Sequence, residues 1–261
     1  MMPIDLANRR VLVTGGNSGI GEAITDALSE CGADVAINFL TDPVAAKAVA
    51  ERARSRGGKA LTVEADVSGS AAVETMFAAM DDAWGGIDIL INNAGIDGKS
   101  AKGWEVDLDG WRKVIDVNLF GTFLCCRQAL RRMVSQNAGV IINMSSVHET
   151  IPWSGHSPYA ASKAGVSMLT KTLAQEAAAH GVRVLAVAPG AIKTAINQNV
   201  WNNAGGLADL DLKIPMGRMG DREEIARMVA VLASDLASYL TGTTVFIDGG
   251  MTDFADFSHG G

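Results

Sequence analysis

The chain has 261 residues, of which 48% are hydrophobic, 5% aromatic and 20% charged, and it carries a formal net charge of −7. That is apolar material enough for a large core, while an acidic balance without a basic run disfavours nucleic acid and anionic membrane as partners. No apolar stretch approaches the roughly 18 residues of a membrane span, and the first apolar run, "VLV", is too short for a signal peptide, so a soluble, cytoplasmic protein is expected.

In chain order, the β-branched runs "RVLVT" (10–14), "DVAINF" (34–39), "ALTVEA" (60–65), "IDILINN" (87–93), "GVIINMSS" (139–146), "VRVLAVA" (182–188) and "TTVFIDG" (243–249) predict strands. Several are almost continuous in Val, Ile and Leu, as strands buried on both faces are. Helical patterns fill the intervals at 19–31, 43–56, 70–84, 109–136, 157–180 and 221–234, the second opening on "TDP", a cap followed by an N-terminal proline. Such alternation predicts an α/β chain: a single Rossmann-type, doubly wound domain over 1–261, with a seven-stranded parallel sheet and helices on both faces. Residues 190–220 are too long for an ordinary connection and are expected to form a substrate lid. Cys31, Cys125 and Cys126 show no metal-ligand spacing and read as reduced, buried hydrophobes, with no metal expected.

"VLVTGGNSGIGEA" (11–23) lies where the first strand enters the first helix, with Gly15, Gly19 and Gly21 in G-x-x-x-G-x-G spacing. Glycines there permit a tight turn and close approach of a pyrophosphate to the helix N-terminus. Gly15, Asn17, Ser18, Gly19, Ile20 and Gly21 are thus candidate contacts to a dinucleotide, NAD or NADP. The second strand ends in Phe39, Leu40 and Thr41, neither acidic nor basic, so the sequence leaves that choice open. Asp66 and Val67 end the third strand, and Asn93, Ala94 and Gly95 the fourth, where a doubly wound sheet binds its ligand. Asp66 reads equally as a helix N-cap.

"SPYAASKAG" (157–165) sets Tyr159 and Lys163 four residues apart on one helical face. A phenol is a poor base at neutral pH, but a nearby ammonium and a nicotinamide cation favour its phenolate, which would take a proton from a substrate alcohol. Ser146 or Ser145, at the end of the fifth strand, is placed to hydrogen-bond the reacting oxygen; the residues alone do not choose between them.

"TGGNSGIG", "NNAG", "VNLFGTF", "INMSS", "YAASK" and "APGAIKT", in this order over almost the whole chain, resemble the short-chain dehydrogenase/reductase family. The resemblance implies an NAD(P)-dependent oxidoreductase acting on an alcohol, with Ser146, Tyr159 and Lys163 as its catalytic triad and Asn118 completing a water-linked proton relay. It further implies that Lys163 and Tyr159 touch the cofactor, that Pro189, Gly190, Ile192 and Thr194 receive its nicotinamide end, and that the chain forms a homotetramer through the helices near 109–136 and 157–180 and the last strand. The tail residues Phe254 and Phe257 are expected in that assembly. "INMSSVHETIPW", "GAIKTAIN", "IPMGRMG" and "DGGMT" are similar to bacterial glucose 1-dehydrogenases, which implies a small-molecule alcohol, a sugar first, with a polyol or a 3-oxoacyl thioester as rivals. His148, Glu149 and Trp153 would then supply hydrogen bonds and a ring face to substrate, with Asn197 and His156 as further candidates; each also has a purely structural reading.

Overall fold

A computed structural model describes residues 4–194 and 203–253. Strands β1 (Arg10–Val13), β2 (Asp34–Phe39), β3 (Ala60–Glu64), β4 (Ile89–Asn92), β5 (Gly139–Met144), β6 (Val182–Pro189) and β7 (Thr244–Ile247) form one parallel sheet in the order β3-β2-β1-β4-β5-β6-β7. The order reverses between β1 and β4, which pair from Val11–Ile89 to Val13–Ile91. The crevice beyond the C-terminal ends of these two strands is where such a sheet binds its ligand.

The helices are α1 (Gly19–Glu30), α2 (Pro43–Ser55), α3 (Ser70–Trp84), α4 (Leu108–Ile115), α5 (Gly121–Gln136), α6 (Ser157–Ala177), α7 (Ala204–Asp211) and α8 (Arg222–Ala233). Strand side chains alternate between two cores. Val11, Val13, Val35, Ile37, Ile89, Ile91 and Ile142 meet α1, α2 and α8, while Leu12, Ala36, Leu90, Ile141 and Val184 meet α3, α5 and α6. Each fully buried Val, Ile or Leu stabilises the fold by about 1.5–3 kcal/mol relative to exposure, which is why these strands carry apolar residues on both faces.

Helix starts follow local chemistry. The Asp42 side chain accepts the Ala45 N–H at 2.9 Å ahead of Pro43 in α2, and Glu224 accepts the Asp221 N–H at 2.9 Å to open α8. The helix expected over 109–136 is broken: a π turn over Asp116–Phe120 separates α4 from α5 and carries Asn118. Gly121, just beyond it, packs against Val67, where a side chain would meet Val67 O at 3.0 Å.

The 190–220 segment also departs from a plain loop. Its base is stapled by a parallel bridge, with Lys193 N–H donating to Gly220 O and Gly220 N–H to Ala191 O, both at 2.9 Å, and it contains α7. Cys125 and Cys126 are buried, and burial pushes the Cys126 thiol up to about 12; Cys31 is only half-buried, a correction to the expectation for all three. No helix among the described residues is long and apolar enough to cross a membrane.

Candidate active site

The turn between β1 and α1 is held from below by three side chains. Thr14 Oγ1 accepts the N–H groups of Asn93 and Ala94 at 2.9 and 3.0 Å, and Asn93 Nδ2 donates to Thr14 O and Gly15 O at 3.0 and 3.2 Å. Asn38 Oδ1 accepts the Gly15 N–H at 3.3 Å, while its amide donates to Ala65 O at 3.0 Å. A Cβ at Gly21 would lie 2.1 Å from Gly15 O, so the turn closes only with glycine there. Gly19, at φ +55°, opens α1 with nothing within 4 Å of where its side chain would stand. The Ser18 side chain makes no cap bond among the described residues. An open space at a helix N-terminus floored by glycine fits a pyrophosphate.

The other cofactor candidates divide by what their side chains do. Asn17 is committed, donating to Thr41 O at 2.9 Å, and Ile20 packs on the core. Phe39 is 7% exposed within the apolar layer, so a ligand at this strand end meets Leu40 and main chain rather than the Phe39 ring. Asp66 is not the N-cap of α3, a position held by Gly69. Its Oδ1 accepts the Ser68 N–H and hydroxyl at 2.9 and 2.6 Å, and these bonds, with Lys113 at 3.3 Å, keep its carboxyl below the ordinary range. Val67 is buried beside the π turn. A side chain at Gly95 would stand 3.3 Å from Asn118 Oδ1 and 3.7 Å from Lys163 Nζ, so the chain beyond the end of β4 runs directly past these two candidates. Gly190 N–H donates to Ile247 O at 3.0 Å, following Pro189, and Ile192 sits in the bridge at the base of the 190–220 segment with Thr194 two residues on.

β5 delivers two serines in opposite directions. Ser145 Oγ donates to Lys163 O at 3.2 Å, whereas Ser146 Oγ accepts the His148 N–H at 3.2 Å and its hydroxyl acts to lower the pKa of the Tyr159 phenol. Ser146 is therefore the serine that faces the phenol. Tyr159 and Lys163 lie on the first two turns of α6, with Lys163 Nζ 5.6 Å from the phenol ring centre and donating to Met144 O at 2.7 Å. Burial lowers the Lys163 ammonium to about 8, with Asp97 and Glu149 opposing the shift. Burial and the charge of Asp97 raise the Tyr159 phenol above its ordinary value, against the opposing effect of the Ser146 hydroxyl. The phenolate expected from the Tyr–Lys pair is thus not favoured by the protein alone, because desolvation and the charge of Asp97 outweigh the Ser146 hydroxyl.

Asn118 is 1% exposed. Its Oδ1 accepts the Ile96 N–H and its Nδ2 donates to Ile96 O, both at 2.8 Å, with a further bond to Ser162 Oγ at 3.1 Å. Ser162 in turn donates to Tyr159 O at 2.7 Å.

The 148–156 segment forms one wall beside Tyr159. Trp153 stacks on His148 at 4.5 Å and 14°, and on His156 at 3.8 Å and 19°. Two imidazoles this close to one ring centre do not fit side by side on one face at van der Waals contact, so they sandwich the indole. The indole edge meets Tyr159 at 5.6 Å and 84°. Both faces of Trp153 are therefore occupied, correcting the expectation that it offers a ring face to substrate. Glu149 is corrected as well: its Oε1 accepts Ser167 Oγ at 2.9 Å and its Oε2 is buried without a partner, so it is turned toward α6. His148 Nδ1 lies 3.0 Å from Ile151 O, and burial lowers its pKa. Asn197, Phe254 and Phe257 lie outside the described residues.

Sequence reasoning missed Asp97 and a buried amide row. Asn92 Nδ2 donates to Asn143 Oδ1 at 2.8 Å, and Asn143 Nδ2 to Thr170 Oγ1 at 2.9 Å. The signal was present as an Ile-Asn pair near the end of three strands, at Asn38, Asn92 and Asn143.

A family model described as enoyl-(acyl carrier protein) reductase matches residues 15–252. The 3beta-hydroxysteroid dehydrogenase 1 of Eggerthella lenta is 45% identical over 257 residues, covering 98% of each chain. Glucose 1-dehydrogenase 2 of Bacillus subtilis is 41% identical over 249 residues, 95% of this chain and 96% of that one. Among solved structures, a gluconate 5-dehydrogenase from Burkholderia cenocepacia in complex with NADP and tartrate is similar with a TM-score of 0.91 at 34% identity, over 97% of this chain and 98% of that chain.

Proposed function

The chain belongs to the short-chain dehydrogenase/reductase family and is an NAD(P)-dependent oxidoreductase; within that family, we propose that it oxidises a secondary alcohol on a neutral, hydroxylated ring. An aldose such as D-glucose is the first candidate, giving the lactone. The observation that carries the reading is the convergence of Ser146 and the Tyr159 phenol beside the buried Lys163 ammonium, next to Gly95 beyond the end of β4.

The dinucleotide, when bound along Gly15–Gly21 and past Gly95, supplies the acceptor for the hydride lost from the carbinol carbon. Tyr159 Oη would take the hydroxyl proton as its phenolate, the form that the positive charge of a bound oxidised nicotinamide would favour against the burial of the phenol. Ser146 Oγ, already accepting the His148 N–H, keeps its own proton to donate to the reacting oxygen. Lys163, anchored on Met144 O, holds its ammonium 5.6 Å from the phenol ring centre. Both Asn118 amide hydrogens are spent on Ile96 and Ser162, and its main-chain carbonyl accepts the Thr122 hydroxyl at 2.8 Å, so a relay through this residue would use the remaining lone pair of one of its oxygens.

A second reading, a 3β-hydroxysteroid substrate, is favoured by the stacked aromatic wall and by the 45% identical relative of Eggerthella lenta. A thioester reductase is less favoured, because Asp97 and the −7 net charge oppose an acidic carrier. Phe120 and Phe123, stacked and 46% and 37% exposed, and Met168, 60% exposed, support burial of α5 and α6 between subunits of a homotetramer. NAD(P)H absorbance on a panel of aldoses, polyols and 3-hydroxysteroids, with both cofactors, tests the proposal. Turnover of an aldose supports it, and turnover confined to steroids replaces the first substrate with the second.

A further inference from the structure

The loop that follows β4 carries a carboxylate that the proton-transfer chemistry does not use. Asp97 comes directly after Ile96, whose N–H and C=O are both held by the Asn118 amide at 2.8 Å. It comes two residues after Gly95, which runs past Lys163 Nζ. Further on, Ala101 N–H donates to Gly155 O at 3.0 Å and Lys102 Nζ to Ser154 Oγ at 3.3 Å. The loop is thereby pinned at one end to Asn118 and at the other to the 148–156 segment that carries the aromatic wall.

Asp97 is half-buried, and among the described residues its carboxylate accepts no hydrogen bond and joins no ion pair. Its charge is felt by both Tyr159 and Lys163. Glu149, the other carboxylate acting on Lys163, spends Oε1 on Ser167 and has Oε2 buried, so it is closed to substrate. A carboxylate left unpaired beside a reactive alcohol site has two consequences. It accepts strong hydrogen bonds from hydroxyl groups, and it raises the cost of bringing a second negative charge nearby.

We propose that Asp97 is a specificity-determining residue whose carboxylate accepts a hydrogen bond from a second hydroxyl of a neutral substrate and repels substrates that carry a carboxylate. The claim deepens the reading of a neutral, hydroxylated ring and rests on it. It gives that reading a residue and a direction of selectivity.

The test compares wild type with Asp97→Asn and Asp97→Ser on D-glucose and D-glucuronate, which share the reacting carbon and differ by a carboxylate. Loss of a hydrogen bond to a charged group predicts a KM for glucose raised by about tenfold or more, with kcat changed less. The KM for glucuronate is expected to fall, and NADH affinity to stay unchanged. A glucose-to-glucuronate preference unaltered by both substitutions overturns the proposal. If wild type oxidises neither sugar, the aldose reading fails by itself; the same variants on a 3-hydroxysteroid and its carboxylated counterpart then decide the Asp97 claim by the same ratio.

A second arm needs no substrate. The chain has 2 tyrosines, so in a Tyr239→Phe background the tyrosinate absorbance reports Tyr159 alone. Adding Asp97→Asn is expected to move the midpoint of that titration to lower pH. A midpoint that does not move shows that Asp97 does not face the phenol and also overturns the proposal.

Discussion

The Asn118 side-chain amide grips both main-chain groups of Ile96, with Oδ1 accepting the N–H and Nδ2 donating to the C=O at 2.8 Å each. This pairing joins the π turn between α4 and α5 to the segment after β4, beside the proposed cofactor and proton-transfer residues. It also explains why the helix is broken there, since Asn118 is turned inward from a widened turn.

Asn118→Leu removes both partners of Ile96 and the bond to Ser162. Leaving these groups unpaired is expected to cost about 1–3 kcal/mol, read as a lower urea midpoint. Turnover falls further than stability alone requires, because Gly95 and Asp97 lose their fixed approach to Lys163. Wild-type kcat in a stably folded Asn118→Leu protein contradicts this role.

Gly21→Ala sets a methyl 2.1 Å from Gly15 O and 2.5 Å from Asn93 Nδ2. The turn must open, and NADH affinity measured by fluorescence is expected to weaken at least about tenfold, or ~1.4 kcal/mol. Unchanged affinity places the cofactor elsewhere.

Lys163 gives the cofactor-free protein a particular pH response. Its pKa is about 8 when folded against an ordinary 10.5, so between these values the unfolded chain binds more protons and stability rises with pH. Below pH 8 both states are protonated and Lys163 contributes no slope. Tyr159 acts oppositely: its folded-state pKa lies above 10.0, so stability falls as pH climbs past that value. Thermal melts between pH 8 and 10 should therefore show a stabilising contribution that Lys163→Met abolishes. Equal slopes for the two proteins contradict the burial of this ammonium.

Trp153→Ala frees His148 and His156 from their shared partner. Two stacked pairs at about 0.5–1.5 kcal/mol each are lost, so the wall beside Tyr159 loosens. KM for the alcohol is expected to rise more than kcat falls, with NADH affinity preserved. A fall in kcat alone assigns Trp153 to positioning Tyr159 rather than to shaping the cleft.

Much of this architecture was legible in the chain. Strands such as Ile89–Asn92 announce themselves by unbroken apolar runs, because burial on both faces leaves no room for alternation. The glycine turn was legible because Gly15, Gly19 and Gly21 answer to local geometry. Glu149 and Trp153 were legible as neighbours of the cleft but not in role: what each faces depends on Ser167, His148 and His156, which pairwise spacing does not encode. Asp97 was silent for the same reason, since the role proposed for it depends on Tyr159 and Lys163, which lie far along the chain. The π turn was hidden by a continuous helical pattern over 109–136, and it follows from the tertiary demand of Ile96 and Val67 rather than from local propensity.

The most direct test of the proton-transfer assignment is Tyr159→Phe, assayed on the best alcohol substrate with NADH binding followed in parallel. The phenol removed is the proposed base, so kcat is expected to fall about 10²–10⁴-fold while the NADH dissociation constant stays within about threefold. Turnover at the wild-type rate with cofactor bound would contradict Tyr159 as the proton acceptor.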